Sequence, residues 1–194
     1  MHIVLTGFMA AGKSAVGRKL ARRLGRDFID TDALIETRAG RAIADIFEQD
    51  GEKEFRRIER ETVAELEPER PAVIATGGGT FIDERNRDRL RTLGVVVCLV
   101  TSMETVVERS KKNAKRPLAA GGRAQLEKLF RKRMPAYRQA DVLVETDGLT
   151  IDQSVSRVLG MIEPRLKRAD GRRAPGGTTE PVNSQPNRRR REPV

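Results

Sequence analysis

The chain is short of most residues that would open alternative routes to stability or catalysis. Of its 194 residues one is cysteine, one is histidine, one is tyrosine and none is tryptophan. A single cysteine excludes an intramolecular disulfide, and Cys98, set in V-V-V-C-L-V, reads as a buried, unreactive thiol. His2 stands at the start of the chain, so no histidine base is on offer for chemistry elsewhere. Long apolar runs are missing too. The longest, Val95 to Val100, is far below the roughly 20 residues a membrane-spanning helix requires. The opening M-H-I-V-L-T-G has neither a charged leader region nor a cleavage pattern, and the chain is read as cytoplasmic.

Charge is plentiful and uneven. The net charge is +10, but residues 165–194 hold nine Lys/Arg against three Asp/Glu, leaving 29 against 25 for the first 164. The stretch is rich in Pro, Gly, Asn and Arg and has almost no large apolar residues. It cannot bury enough surface to offset chain entropy, so 165–194 reads as a disordered basic tail. Its R-R-R-R gives it at most a weak contact with nucleic acid, and a solvated tail is the first reading.

Ahead of the tail, short apolar strands alternate with helical stretches. Strands are expected at Ile3–Leu5, Phe28–Ile29, Val73–Ala75, Val95–Val100 and Val142–Val144. Helices are expected at 13–24, at 42–66 with a break near Gly51, and at 103–110, 124–134 and 151–162. Phe55, Ile58, Val63 and Leu66 are the inward positions of the second. The alternation argues for an α/β fold, a parallel sheet with helices on both faces, and ligands collect at the carboxyl ends of such strands.

The first strand runs into G-F-M-A-A-G-K-S, Gly7 to Ser14, which fits the G-x-x-x-x-G-K-[ST] phosphate loop in its required strand-before, helix-after setting. Backbone N–H groups at the helix start cradle phosphates, Lys13 reaches the terminal ones, and the Ser14 hydroxyl suits magnesium. The second strand ends F-I-D-T-D. Alternation along an extended segment would point Asp30 and Asp32 the same way with Thr31 opposed, one carboxylate toward a metal and one toward an acceptor hydroxyl. The competing reading is a helix cap at Thr31 or Asp32. The third strand ends T-G-G-G, where a backbone approaches something closely. E-F-R-R-I-E supplies Arg56 or Arg57, and K-R-M-P-A-Y-R supplies Arg133 or Arg138, for an anionic acceptor. Residues 111–123 read as a basic mobile segment, a lid that carries Arg116.

The ordered set G-F-M-A-A-G-K-S, F-I-D-T-D, I-A-D-I-F, G-E-x-E-F-R-R-I-E, T-G-G-G, R-P-L and R-x-P-x-Y resembles the shikimate kinase family from about Ile3 to Ile162. The resemblance implies a three-layer P-loop kinase fold with a central five-stranded parallel sheet in residues 1–164. It implies phosphorylation of the 3-hydroxyl of shikimate by ATP in aromatic amino-acid biosynthesis, with Mg2+ as cofactor and a monomeric state. Position by position, it places Ala10, Ala11, Gly12, Lys13, Ser14, Ala15, Arg109 and Arg116 on ATP. It places Asp32, Arg56, Gly78 and Arg133 on shikimate, and Ser14 and Asp30 on the metal. Lys13, Asp32 and Arg116 carry the catalysis. Ala10 and Ala15 depart from the glycine and threonine common in the family, and Ile151 from a proline. Two other readings stand beside this one: a kinase for another hydroxy acid such as gluconate, and a sensor or nucleic-acid-associated module on the same fold.

Overall fold

The computed structural model describes residues 1–111 and 122–171. Five strands form one parallel sheet: β1 (His2–Thr6), β2 (Asp27–Asp30), β3 (Ala72–Ala75), β4 (Gly94–Val100) and β5 (Val142–Glu145), ordered β2-β3-β1-β4-β5. Central β1 pairs Leu5 with Ala75 of β3 on one side and with Val97 of β4 on the other. The side-chain period of two sorts the strands' apolar residues between two cores. Ile3, Leu5, Val95 and Val97 face one layer, beneath helices α1 (Lys13–Leu24) and α8 (Ile151–Gly171). Val4, Ile74, Val96 and Cys98 face the other, beneath α4 (Gly51–Ala64), α5 (Glu84–Leu93), α6 (Met103–Lys111) and α7 (Gly122–Tyr137). A smaller core of Ile35, Ile46, Phe55 and Ile58 joins α4 to α2 (Thr31–Ala39) and α3 (Ile43–Gln49).

The strand and helix expectations are met in order, and Phe55, Ile58, Val63 and Leu66 are all buried. Four differences have physical causes. The strand alternation at F-I-D-T-D stops two residues early: β2 ends at Asp30, and Asp30 itself caps α2, its Oδ1 accepting from Asp32 N at 3.1 Å. The cap is therefore neither Thr31 nor Asp32. Helix α5 has no counterpart in the sequence reading. Its buried positions are Asn86, Arg87 and Leu90, only one of them apolar, and Asp83 caps it by accepting from Arg85 N and Asn86 N. Helix α7 begins at Gly122, inside the stretch read as lid; residues 112–121, including Arg116, lie outside the described residues. Helix α8 continues past Ile162 and Pro164 to Gly171, because Leu166 still packs on the first core, so residues 165–171 are helical rather than tail. The disordered-tail reading of 172–194 lies outside the described residues. Among the described residues no helix is long and apolar enough to cross a membrane.

Candidate active site

At the carboxyl end of β1 the chain folds back on itself before α1 starts. Lys13 is almost wholly buried, and its Nζ donates to the carbonyls of Gly7 and Phe8, both at 2.9 Å. The loop's own oxygens thus hold the ammonium in place. Ala10 sits at φ 62°, the one described non-glycine residue with a positive φ, and its carbonyl accepts from Arg109 Nη1 of α6 at 3.1 Å. A cavity of about 380 Å3 opens over this loop. Ala10, Gly12, Lys13, Ser14, Ala15 and Arg109, six of the residues that the resemblance assigns to ATP, line it. Ala11 does not: its side chain is packed in the first core and its N–H donates to Phe8 O at 3.3 Å. Arg18, given no role by the sequence, lines the same cavity from the second turn of α1, its guanidinium 5.3 Å from the Phe28 ring centroid.

Ser14 Oγ donates to Asp30 Oδ2 at 2.7 Å, so a hydroxyl and a carboxylate meet at the edge of the loop. Among the described residues no group of three or more His, Cys, Asp or Glu is placed to hold a metal. One hydroxyl and one carboxylate are a donor set that fits magnesium, which keeps several waters and takes further oxygens from phosphates.

A second cavity, of about 640 Å3, lies beside the first, under α3, α4 and α7. Asp32, Arg56, Gly78 and Arg133 all line it. Arg57 instead lies on the exposed side of α4, paired with Glu54 and Glu61, and Arg138 is exposed. The geometry thus selects one arginine from each candidate pair. Apolar side chains complete the wall, with Phe47 and Phe55 in contact at 4.6 Å between ring centroids.

The glycine triplet makes this wall possible. A Cβ on Gly77 would stand 2.5 Å from Asp32 Oδ1, and one on Gly79 would stand 2.6 Å from Arg56 Nη1. A side chain at either position would force Asp32 or Arg56 to shift from where it now stands. Gly77 N donates to the buried Thr31 hydroxyl at 3.2 Å, tying the turn to the start of α2.

Each arginine is held by its own partners. Arg56 donates through Nη1 to Glu59 Oε2 at 2.8 Å and through Nη2 to Glu52 Oε1 at 3.1 Å. Burial acts to lower its pKa, but the Glu59 and Glu52 carboxylates outweigh it and hold the guanidinium above its ordinary value. Glu59, 1% exposed, turns its other oxygen to the Thr80 hydroxyl at 2.7 Å. Arg133 lies 5.8 Å from the Phe8 ring centroid and donates to Gly78 O at 3.1 Å. The same carbonyl accepts from the Tyr137 hydroxyl at 2.5 Å, and burial pushes that phenol above its ordinary pKa. Glu59 and Tyr137 received no role from the sequence. Their signal is spacing: Glu59 follows Arg56 by three and Tyr137 follows Arg133 by four, neighbours on a helix face.

The two cavities share a wall, since Asp32 and Gly78 line both. A group held over the phosphate loop and a group held between Arg56 and Arg133 would meet there.

A family model for shikimate kinase matches residues 9–163. The shikimate kinase of Thermodesulfovibrio yellowstonii is 40% identical over 160 residues, covering 81% of this chain and 92% of its own. The structure of the Acinetobacter baumannii shikimate kinase in complex with shikimate superposes with a TM-score of 0.79 at 38% identity, covering 84% of this chain and 93% of that one. A gluconokinase from Sinorhizobium meliloti shares only the fold, with a TM-score of 0.56 at 18% identity.

Proposed function

Since the chain belongs to the shikimate kinase family, we propose that it transfers the terminal phosphoryl group of ATP to the 3-hydroxyl of shikimate, giving 3-phosphoshikimate and ADP for aromatic amino-acid biosynthesis. The observation that carries this reading is the shared wall: a phosphate cavity and an arginine-lined cavity meeting at Asp32 and Gly78. Shikimate is a hydroxylated ring with one carboxylate. Two guanidinium groups suit its anionic end, and a carboxylate at the wall suits its hydroxyls.

In this mechanism Arg56 and Arg133 hold the acceptor's carboxylate, and Phe47 and Phe55 pack its ring. Asp32 orients the 3-hydroxyl and takes its proton as the oxygen bonds to the γ-phosphorus. The bond from that phosphorus to the β–γ bridging oxygen breaks, and ADP leaves with the electron pair. Lys13 and the loop N–H groups neutralise charge on the transferred group, and Arg109 braces the loop through Ala10 O. Arg116, outside the described residues, is assigned to the phosphates by family resemblance. Ser14 and Asp30 would hold the magnesium ion, which when bound shields the phosphate charges.

The test is a coupled ADP-release assay with ATP and magnesium, offering shikimate, gluconate or no acceptor to the wild type and to Asp32→Ala. Turnover that depends on shikimate and collapses in the variant is the expected result. Turnover with gluconate alone would overturn the acceptor assignment and leave the fold intact.

A further inference from the structure

Gly78 O is held twice, both times by side chains of one helix. It accepts from Tyr137 Oη at 2.5 Å and from Arg133 Nη1 at 3.1 Å, which engages both of its lone pairs. The two donors are one helical turn apart on α7 and both are buried, Tyr137 at 1% exposure and Arg133 at 7%. They differ in what else they do. The Tyr137 ring is packed in the second core, whereas the Arg133 guanidinium lines the acceptor cavity. Arg133 therefore has two calls on it, a carbonyl of the glycine turn and any anion that enters the cavity. Tyr137 has one.

We propose that Tyr137 is a positioning residue for the acceptor: its hydroxyl anchors the Gly78 carbonyl, which lets the Arg133 guanidinium turn from that carbonyl to the acceptor's carboxylate while the glycine turn stays in place. The inference rests on the proposed function only in taking the acceptor to be a carboxylate. A turn of three glycines has no side chains to fix it, so its geometry depends on what its peptide groups bind. Without the phenol, Gly78 O is left to Arg133 alone. Moving Arg133 to the ligand would then strand a buried acceptor, a loss that is charged against binding. The raised pKa of the phenol agrees with this role, since the group remains a proton donor throughout the neutral range.

Composition supplies an unusually clean experiment, because the chain has one tyrosine and no tryptophan. Its near-ultraviolet tyrosine band reports on Tyr137 alone. Shikimate binding to the full chain is measured by calorimetry for wild type, Tyr137→Phe, Arg133→Ala and the double variant, with turnover assayed in parallel. Tyr137→Phe should weaken shikimate binding and raise its KM about tenfold, the worth of one hydrogen bond. Its kcat should change less than about twofold, since the interaction is made in ground and transition states alike. In the Arg133→Ala background the same substitution should add nothing to the loss. A spectrophotometric pH titration of the wild type should give a phenol above its ordinary value both with and without saturating shikimate.

Additive losses in the double variant, or a fall in kcat with KM unmoved, would reduce Tyr137 to a structural residue and overturn the proposal. A phenol that returns toward its ordinary value when shikimate binds would overturn it without any variant, since Tyr137 would then have lost the burial that raises it and with it a fixed place beside the carbonyl. Normal shikimate binding by Tyr137→Phe would overturn this inference alone. No shikimate binding by the wild type would overturn the proposed function with it.

Discussion

Replacing Glu59 with alanine removes a carboxylate that is 1% exposed and serves two partners at once, the Arg56 guanidinium and the Thr80 hydroxyl. The same guanidinium also binds Glu52, whose side chain is 66% exposed. One arginine on one helix thus carries a buried and an exposed ion pair, and each can be deleted by the same chemical change. Breaking a buried pair leaves an uncompensated charge and typically costs about 3–5 kcal/mol. Arg56 is itself 21% exposed and keeps Glu52, which puts Glu59→Ala at the low end, about 3 kcal/mol. Glu52→Ala should cost less than about 1 kcal/mol, the usual worth of a solvated pair. For a chain of this size that separates the variants by thermal midpoint: a drop of about 6–12 °C for Glu59→Ala and under about 4 °C for Glu52→Ala. Urea unfolding followed by circular dichroism gives the free energies directly, and salt should narrow the Glu52 effect more than the Glu59 effect. Equal losses for the two variants would refute the argument that burial, rather than the count of ion pairs on Arg56, sets the value of the contact.

Ala10 adopts φ 62°, so Ala10→Gly should relieve left-handed strain. After the glycine's extra unfolded-state entropy is deducted, the unfolding free energy should rise by about 0.5 kcal/mol, read as a higher urea midpoint. Gly77→Ala drives a Cβ to within 2.5 Å of Asp32 Oδ1, and should raise the KM for the acceptor strongly while leaving nucleotide affinity, read by calorimetry, little changed. Burial pushes the Cys98 thiol up to about 12 from an ordinary value of 9.0. The folded chain should therefore resist iodoacetamide at pH 8 and react only once unfolded. Because the unfolded thiol ionises first, its contribution to stability is complete below about pH 9 and is lost as the pH climbs beyond. Rapid alkylation of the native chain would refute the burial.

The sheet was legible because its strands are buried on both faces and read as apolar runs, such as Val95 to Val100. The phosphate loop was legible because its chemistry fixes residue types at fixed spacing. Helix α5 was not, since it turns Asn86 and Arg87 inward and has one fully buried apolar residue, Leu90. At F-I-D-T-D the order of residues was plain, but whether Asp30 ends a strand or caps a helix depends on a two-residue hydrogen bond that the sequence does not display. Ala11 fits the phosphate-loop pattern as well as its neighbours do, yet the turn of the backbone sends it to the core. The choice of Arg56 over Arg57 followed from family resemblance in the sequence. In the structure it follows from the face of α4 that meets the glycine turn. Glu59 and Tyr137 stood in plain view at helical spacing, and their partners, Thr80 and Gly78, belong to the strand end across the cavity.

The wall formed by Asp32 and Gly78 has a bearing on inhibition. Two ligands that each fill one cavity would abut there, so a single molecule joining a phosphate mimic to a carboxylate-bearing ring needs only a short tether. Once one arm is seated, the other experiences an effective concentration in the millimolar range, and the affinities of two weak fragments compound. Such a bridging compound also draws selectivity from the coincidence of the two halves. The phosphate loop is common property of many nucleotide-binding enzymes, whereas a phosphate loop sharing a wall with a cavity lined by two guanidinium groups is a narrower target.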